Sequence, residues 1–273
     1  MKSLNFQITY TSKDYQFLLE PLSDIHMDDI NFDDEKFAKV VDRVGKEANR
    51  YTIGMGDYGS SIYSYPNENR GTLTIKQDYR DNPEKLYDDM RGTLSPIKNK
   101  IIGLVEGNHD YKIHQRGYYN WVKALAEDIG VPYLTTTCLI NLQFIPQIKN
   151  GNGAAKPTNV KMFATHGRYT GLESSAAITK LKRLASQIDA DIYLMGDRHD
   201  IDSAKKAFLY VDDEGKLREG TRIFGLCGCF VRGYDINDTG ISSFPERMML
   251  YPNRVGTITV AIQPYYGRLN VFA

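Results

Sequence analysis

Five short apolar runs in this chain each end on an Asp, an Asn or a His, and that recurrence restricts the fold more than any other feature. FLLEPLSDIH reaches Asp24 and His26, YTIGMGD reaches Asp57, and IIGLVEGNHD reaches Asn108, His109 and Asp110. VKMFATHG reaches His166, and DIYLMGDRH reaches Asp197 and His199. A short apolar run bounded by Gly and polar residues reads as a buried strand. A strand that stops on polar groups hands them to a loop at the sheet end, where layered α/β proteins collect their functional groups.

Helices alternate with these strands. Asp33 or Asp34 can cap a helix whose Phe37, Val40, Val41 and Val44 share one face. PEKLYDDMRGTL has a Pro near its start, and GYYNWVKALAEDIG is amphipathic and closes on Gly130. A helix over 173–189 would place Ile178, Leu181, Leu184 and Ile188 in one stripe, and Trp121 reads as core. CLINLQF and VKMFATHG are joined by PQIKNGNGAAKPTN, a hairpin-type connection. RIFGLCGCF, GTITVAIQP and RLNVFA make the last third β-rich. With no internal repeat and no linker, residues 1–273 read as one domain, long enough to bury its own core.

Composition excludes several classes. With 34 basic and 34 acidic residues the net charge is zero, which weighs against bulk electrostatic capture of nucleic acid while leaving a local patch open. Cys138, Cys227 and Cys229 are too few for a disulfide framework and read as buried thiols, the last two on one face of a strand. The N-terminal MKSLNFQITYTSKDY has no signal-like apolar core, and no run approaches the roughly 20 apolar residues of a membrane span. The expectation is a soluble, cytoplasmic protein with no membrane partner.

Four of the five histidines stand at these strand ends; His114 is the exception and is expected at the surface. Oxygen and imidazole donors without a thiolate suit Mn²⁺, Fe, Zn²⁺ or Ni²⁺ rather than a structural zinc. Mixed Asp, Asn and His sites can hold two ions about 3.5 to 4 Å apart, with a shared carboxylate offsetting part of their repulsion. Arg168 and Arg198 could each grip a phosphate bidentately or pair with a nearby acid. Residues 58–82, rich in Tyr, Ser, Asn and Gly, read as a functional loop or a plain insertion. Tyr58, Tyr63 and Tyr65 in it are favoured as anchoring rings, with stacking on a base as the alternative.

Taken in order, DxH, GD, GNHD, HG and GDRH resemble the motif series of the calcineurin-like metallophosphoesterases, and the match runs from Asp24 to His199. The stretch after Lys161 is similar to family members found in phages. The resemblance implies an α/β fold, a four-layer αββα sandwich of two mixed β-sheets flanked by helices, with the metal site at the strand ends. It implies a first metal on Asp24, His26, Asp57 and His199. The second would sit on Asp57, Asn108, His166 and the residue at 197, with Asp57 bridging. His109 would protonate the leaving oxygen or steady the phosphoryl charge, and Asp110 would orient His109 through its ring nitrogen. The implied reaction is hydrolysis of a phosphomonoester or phosphodiester through a metal-bridging hydroxide. The chemistry agrees, because a leaving alkoxide needs a proton and a His can give it.

The departure is at 197, where the family's closing motif has His and this chain has Asp. Asp197 could be a carboxylate ligand, the favoured reading. It could instead be too short and leave the site weak, or the second ion could be lost. A carboxylate there favours hard ions, so the expected cofactors are two divalent ions, Mn²⁺ first, with Mg²⁺, Fe, Zn²⁺ or Ni²⁺ as alternatives. The expected substrate is a phosphate ester, with nucleotides and nucleic acid among the candidates. Two other functions stay open: a nuclease using the same dimetal site, and a non-catalytic scaffold with a degenerate metal site.

Overall fold

Two β-sheets packed face to face carry the five polar strand ends. In this computed structural model the first sheet has the order β1 (Lys2–Tyr10), β5 (Thr137–Pro146), β8 (Thr158–Thr165), β9 (Ile192–Met195), β11 (Leu217–Cys227) and β10 (Ile201–Val211). The second has the order β13 (Arg268–Phe272), β12 (Thr259–Gln263), β2 (Phe17–Leu22), β3 (Arg50–Gly54) and β4 (Ile101–Leu104), and β6 (Lys149–Asn150) pairs separately with β7 (Gly153–Ala154). The structure describes the chain apart from residues 61–73, 83, 116–118, 151–152, 155, 169–173, 213 and 237–239. Most of the Tyr-rich segment expected at 58–82, with Tyr63 and Tyr65, therefore lies outside the described residues, as does the side chain of His114.

The core between the sheets follows from strand alternation. Along β5, Cys138, Ile140, Leu142 and Phe144 are buried and the intervening residues are not. They meet Phe17, Leu19 and Ile53 of the opposite sheet in one cluster. The outer face of the second sheet is covered by α1 (Asp34–Lys46), α3 (Glu84–Leu94) and α5 (Trp121–Ile129), which pack with Leu22, Ile101 and Leu104. The outer face of the first is covered by α6 (Ser174–Leu184), whose Ala177, Ile178 and Leu181 pack on Phe163, Tyr193 and Phe224. The layers are thus α, β, β and α, with both sheets mixed in strand direction.

Local chemistry sets the helix ends. Asp33 caps α1 by accepting the Lys36 N–H at 3.0 Å, and the helix buries Phe37, Val40 and Val44. Each such side chain stabilises the fold by roughly 1.5–3 kcal/mol on leaving water. Asn120 caps α5 and Gly130, at φ +76°, ends it.

Some elements depart from expectation. Strands β1 and β10 and the short α2 (Gln77–Asp81) were not anticipated, α6 stops at Leu184, and β11 begins earlier than RIFGLCGCF suggested. β10 is a sheet edge with Leu209, Tyr210 and Val211 exposed, so it lacks the buried-strand pattern that marked the others. Cys227 and Cys229 do not share a strand face: β11 ends at Cys227 and Gly228, at φ +75°, turns the chain. All three cysteines are free and buried. Among the described residues no helix is long and apolar enough to cross a membrane.

Candidate metal centre

The five polar strand ends come from both sheets. β2, β3 and β4 run parallel in one, and β8 and β9 run parallel in the other. Backbone bonds stitch their loops together. The N–H of Asp24 donates to Gly56 O at 3.0 Å, and that of His26 to Asp57 O at 3.1 Å. The N–H of Asp197 donates to Asp24 Oδ2 at 3.0 Å and so ties the two sheets at the site.

The backbone here is held in a conformation that non-glycine residues rarely adopt. Asp24, His26, Asp57, Asp197 and His199 have φ of 49°, 45°, 54°, 60° and 55°. Left-handed backbone costs of order 1–3 kcal/mol per residue and persists where surrounding contacts over-determine it, which is common at functional sites. The motif glycines answer a related need. A Cβ on Gly107 would stand 2.0 Å from Asp57 Oδ1, and one on Gly56, itself at φ +97°, would stand 2.5 Å from Gly107 N.

The side chains converge in two groups. Asp24, His26 and His199 offer ligand atoms within 4.8 Å of one another, and so do Asp24, Asp57 and His166. His199 Nε2 lies 3.2 Å from Asp24 Oδ1. Asp57 Oδ2 stands between the groups, 3.3 Å from His166 Nε2 and 3.9 Å from His26 Nε2. Asn108 Oδ1 is 2.8 Å from His166 Nε2. With its amide turned, Asn108 would donate to Asp57 Oδ2 at 2.8 Å and Asp197 Oδ1 at 3.1 Å. The Asn108 amide, Asp57, His166 and Asp197 therefore meet at one point, and Asp197 Oδ1 lies 3.8 Å from His166 Nε2.

Charge and burial fit a cation. His26 Nε2 is buried without a hydrogen-bond partner among the described residues, and buried Asp24 Oδ1 has only the His199 ring at 3.2 Å, so a positive ion would satisfy both atoms. Burial, then the His109 charge, pushes His26 down to about 3, so its ring is neutral near pH 7, as a ligand must be. Burial opposes ionisation of Asp24 and Asp57, but the neighbouring histidines outweigh it and hold both carboxyls below their usual range. Burial likewise works against charge on His166, yet Asp57, Asp24 and Asp197 push it up to about 10. The carboxylates of Asp57 and Asp24 favour the charged rings of His166 and His199 at 3.3 and 3.2 Å, and divalent cations would take the place of those protons. The donors are oxygen and imidazole with no thiolate, so residues and group match.

His109 stands at the rim, one-third exposed in its side chain, with Nε2 4.0 Å from Asp57 Oδ2. Its backbone N–H donates to Asp57 Oδ1 at 2.8 Å. The expected role of Asp110 is corrected. Its Oδ2 accepts the backbone N–H of Asp57 at 2.7 Å and of Gly107 at 2.9 Å. His109 Nδ1 instead faces the Ser60 carbonyl at 3.2 Å. The reason is helical geometry: α4 (Asn108–Gln115) starts at Asn108, and consecutive helical residues do not face each other.

Arg198 pairs with Asp200 at 3.7 Å, and Arg168 is exposed beside Gly167. Tyr58 is fully buried, donates its hydroxyl to Val105 O at 3.0 Å and packs edge-on against Trp121, so it is an anchor rather than a stacking surface.

Three residues at the site carry no motif signal. Ser23 donates its hydroxyl to Asp24 Oδ2. Ser60 contacts His26 and His109, and buried Asp28 holds Ser60. Asp28 and Ser60 meet only through the pairing of two loops, which no local pattern announces.

No family model matches the sequence, and no curated protein matches it either. Solved structures align along nearly the whole chain. A conserved uncharacterized protein from Streptococcus pneumoniae TIGR4, described as a predicted phosphoesterase, shares 16% identity over 94% of this chain and 98% of its own, with a TM-score of 0.35. A metallophosphoesterase from Sphaerobacter thermophilus shares 10% over 94% and 87%, with a TM-score of 0.38. Vps29 from Chaetomium thermophilum shares 15% over 94% and 93%, with a TM-score of 0.37. At these identities and scores the likeness says nothing of this chain's chemistry, which rests on the side chains above.

Proposed function

We propose that this chain is a calcineurin-like metallophosphoesterase that hydrolyses a phosphomonoester or phosphodiester. One observation carries the reading: Asp24, His26, Asp57, Asn108, His166, Asp197 and His199 converge from the ends of two sheets, with a buried His26 Nε2 that no donor among the described residues satisfies. Asp24, His26 and His199 would hold one ion, Asn108, His166 and Asp197 the other, and Asp57 would be shared. Divalent ions there would polarise the phosphoryl group and supply a water nucleophile near neutral pH. Mn²⁺ suits the carboxylate-rich set.

The protein's own part is positioning and proton transfer. His109 stands partly exposed beside the shared Asp57, and its Nε2, 4.0 Å from Asp57 Oδ2, is the atom to give a proton to the leaving oxygen. The Ser60 carbonyl accepts from Nδ1 and so favours the charged ring that must form. Asp110 fixes the backbone of Asp57 and Gly107, which keeps the shared carboxylate aimed. Arg168 and Arg198 flank His166 and Asp197 in sequence and are the residues to meet a substrate phosphate.

The test is turnover of bis-p-nitrophenyl phosphate and p-nitrophenyl phosphate with Mn²⁺, and with other divalent ions in turn. Activity is expected, with loss in Asp57→Asn and His109→Ala. No turnover of either compound with any ion would overturn the proposal. One tightly held ion with normal folding and no turnover would point to a scaffold instead.

A further inference from the structure

Two histidines of the centre lean on one residue outside every motif. Ser60 Oγ is 3.0 Å from His26 Nδ1, and the Ser60 carbonyl oxygen is 3.2 Å from His109 Nδ1. The Ser60 backbone N–H is held in turn by both oxygens of Asp28, at 2.8 and 3.1 Å. Asp28 is 2% exposed, so water does not compete for that bond.

We propose that Asp28 and Ser60 act as a positioning pair that sets the ring tautomer and aim of His26 and His109 together. This rests on the roles given above to those two histidines. A carbonyl oxygen carries no proton, so the Ser60 carbonyl requires a proton on His109 Nδ1, and a proton passed to substrate would be a second one, carried on Nε2. A hydroxyl can give or take, and here the rest of the ring decides. His26 Nε2 is buried without a hydrogen-bond partner among the described residues and belongs to the ligand group, so the proton belongs on Nδ1 and Ser60 Oγ accepts it. Ligand histidines commonly have the far ring nitrogen tied to a carboxylate, carbonyl or water, and loss of that partner lowers metal affinity by roughly 10–100-fold. Here one serine does this for a ligand through its side chain and for the proposed proton donor through its main chain. Asp28 sets both by gripping the amide of that serine.

The pair is tested on the full chain without substrate. Two-bond proton–nitrogen spectra of the metal-free protein, labelled at histidine, read which ring nitrogen carries the proton. Calorimetry reads Mn²⁺ affinity. In the parent protein Nδ1 is protonated in both rings. Ser60→Ala should let His26 divide between tautomers, leave His109 as it was, and weaken Mn²⁺ binding by roughly 10–100-fold. Ser60→Thr should restore His26. Asp28→Ala should release both rings, and Asp28→Asn, which keeps one accepting oxygen, should stay close to the parent. A His26 signal and Mn²⁺ affinity unchanged in Ser60→Ala would overturn the proposal. So would an unchanged His109 in a folded Asp28→Ala or, if that variant does not fold, in Asp28→Ser, which replaces the two gripping oxygens with one hydroxyl. A chain that shows these tautomers and binds Mn²⁺ but hydrolyses no phosphate ester refutes the proposed function and leaves the pair standing. Turnover with unaffected tautomers in the variants does the reverse.

Discussion

Asp110 holds Asp57 by the backbone: its Oδ2 accepts the Asp57 N–H at 2.7 Å, while the neighbouring His109 ring turns to Ser60. Asp110 is fully buried, and burial together with the Asp57 charge drives its carboxyl well above the usual range. Asp110→Ala leaves the amides of Asp57 and Gly107 without their acceptor. A buried donor left unsatisfied costs about 1–3 kcal/mol. The expected outcome is a lower unfolding midpoint and weaker metal binding, with Asp110→Asn intermediate. An unchanged midpoint in Asp110→Ala would show that these bonds do not support the site.

Asp197 stands where the resemblance expects a histidine, yet its Oδ1 reaches the same point as Asn108 and His166. Asp197→Ala should cost one of two bound ions by elemental analysis and lower turnover by at least about 100-fold, more than loss of an outer partner causes. Asp197→His should keep two ions and shift preference from Mn²⁺ towards Zn²⁺, because imidazole is the softer ligand. Two ions retained in Asp197→Ala would remove the residue from the ligand set.

Burial works against charge on His166, but Asp57, Asp24 and Asp197 outweigh it and push the ring up from 6.5 to about 10, which has a definite pH signature. Because the folded value is the higher one, the proton stabilises the metal-free fold fully below pH 6.5, and that contribution is lost as pH rises to about 10. Urea unfolding of chelator-treated protein should show stability falling across this window. His166→Gln should flatten that part of the slope. Metal binding competes with the same proton, so affinity should rise with pH over the same range. A chelated protein whose stability holds level through the window, equally in the parent and His166→Gln, contradicts the assignment.

Gly107 has no room for a side chain. Its Cβ would fall 2.0 Å from Asp57 Oδ1 and 2.2 Å from Asp57 N, where backbone as well as side chain must move. Gly107→Ala should therefore destabilise the protein by about 1–3 kcal/mol, the usual cost of overpacking, and displace the shared carboxylate. Gly92→Ala is the control, since nothing among the described residues lies within 4 Å of its Cβ and the position sits on a helix. It should be neutral or stabilising. Equal thermal midpoints for the two variants would refute the close approach.

The sequence by itself determined the strand ends and the order in which they present Asp24, His26, Asp57, Asn108, His166, Asp197 and His199. Those facts are local: a buried strand shows as an apolar run, and a polar stop shows as its boundary. Helices α1 and α5 were legible in the same way, through one apolar face and a capping residue at each start. Strand β10 was not, because an exposed sheet edge needs no apolar pattern. Only the tertiary structure decided that three of the polar ends belong to one sheet and two to the other, and that the Asp197 amide joins them through Asp24. It alone gave Asp110 to the backbone of Asp57 and gave the histidines to Ser60 and Asp28. Adjacency in sequence misled at His109 and Asp110, because a helical turn sends neighbouring side chains in different directions. Contact between Asp28 and Ser60 spans 32 positions and depends on two loops pairing in register, a choice made by the packing of the whole sandwich rather than by any local run of residues.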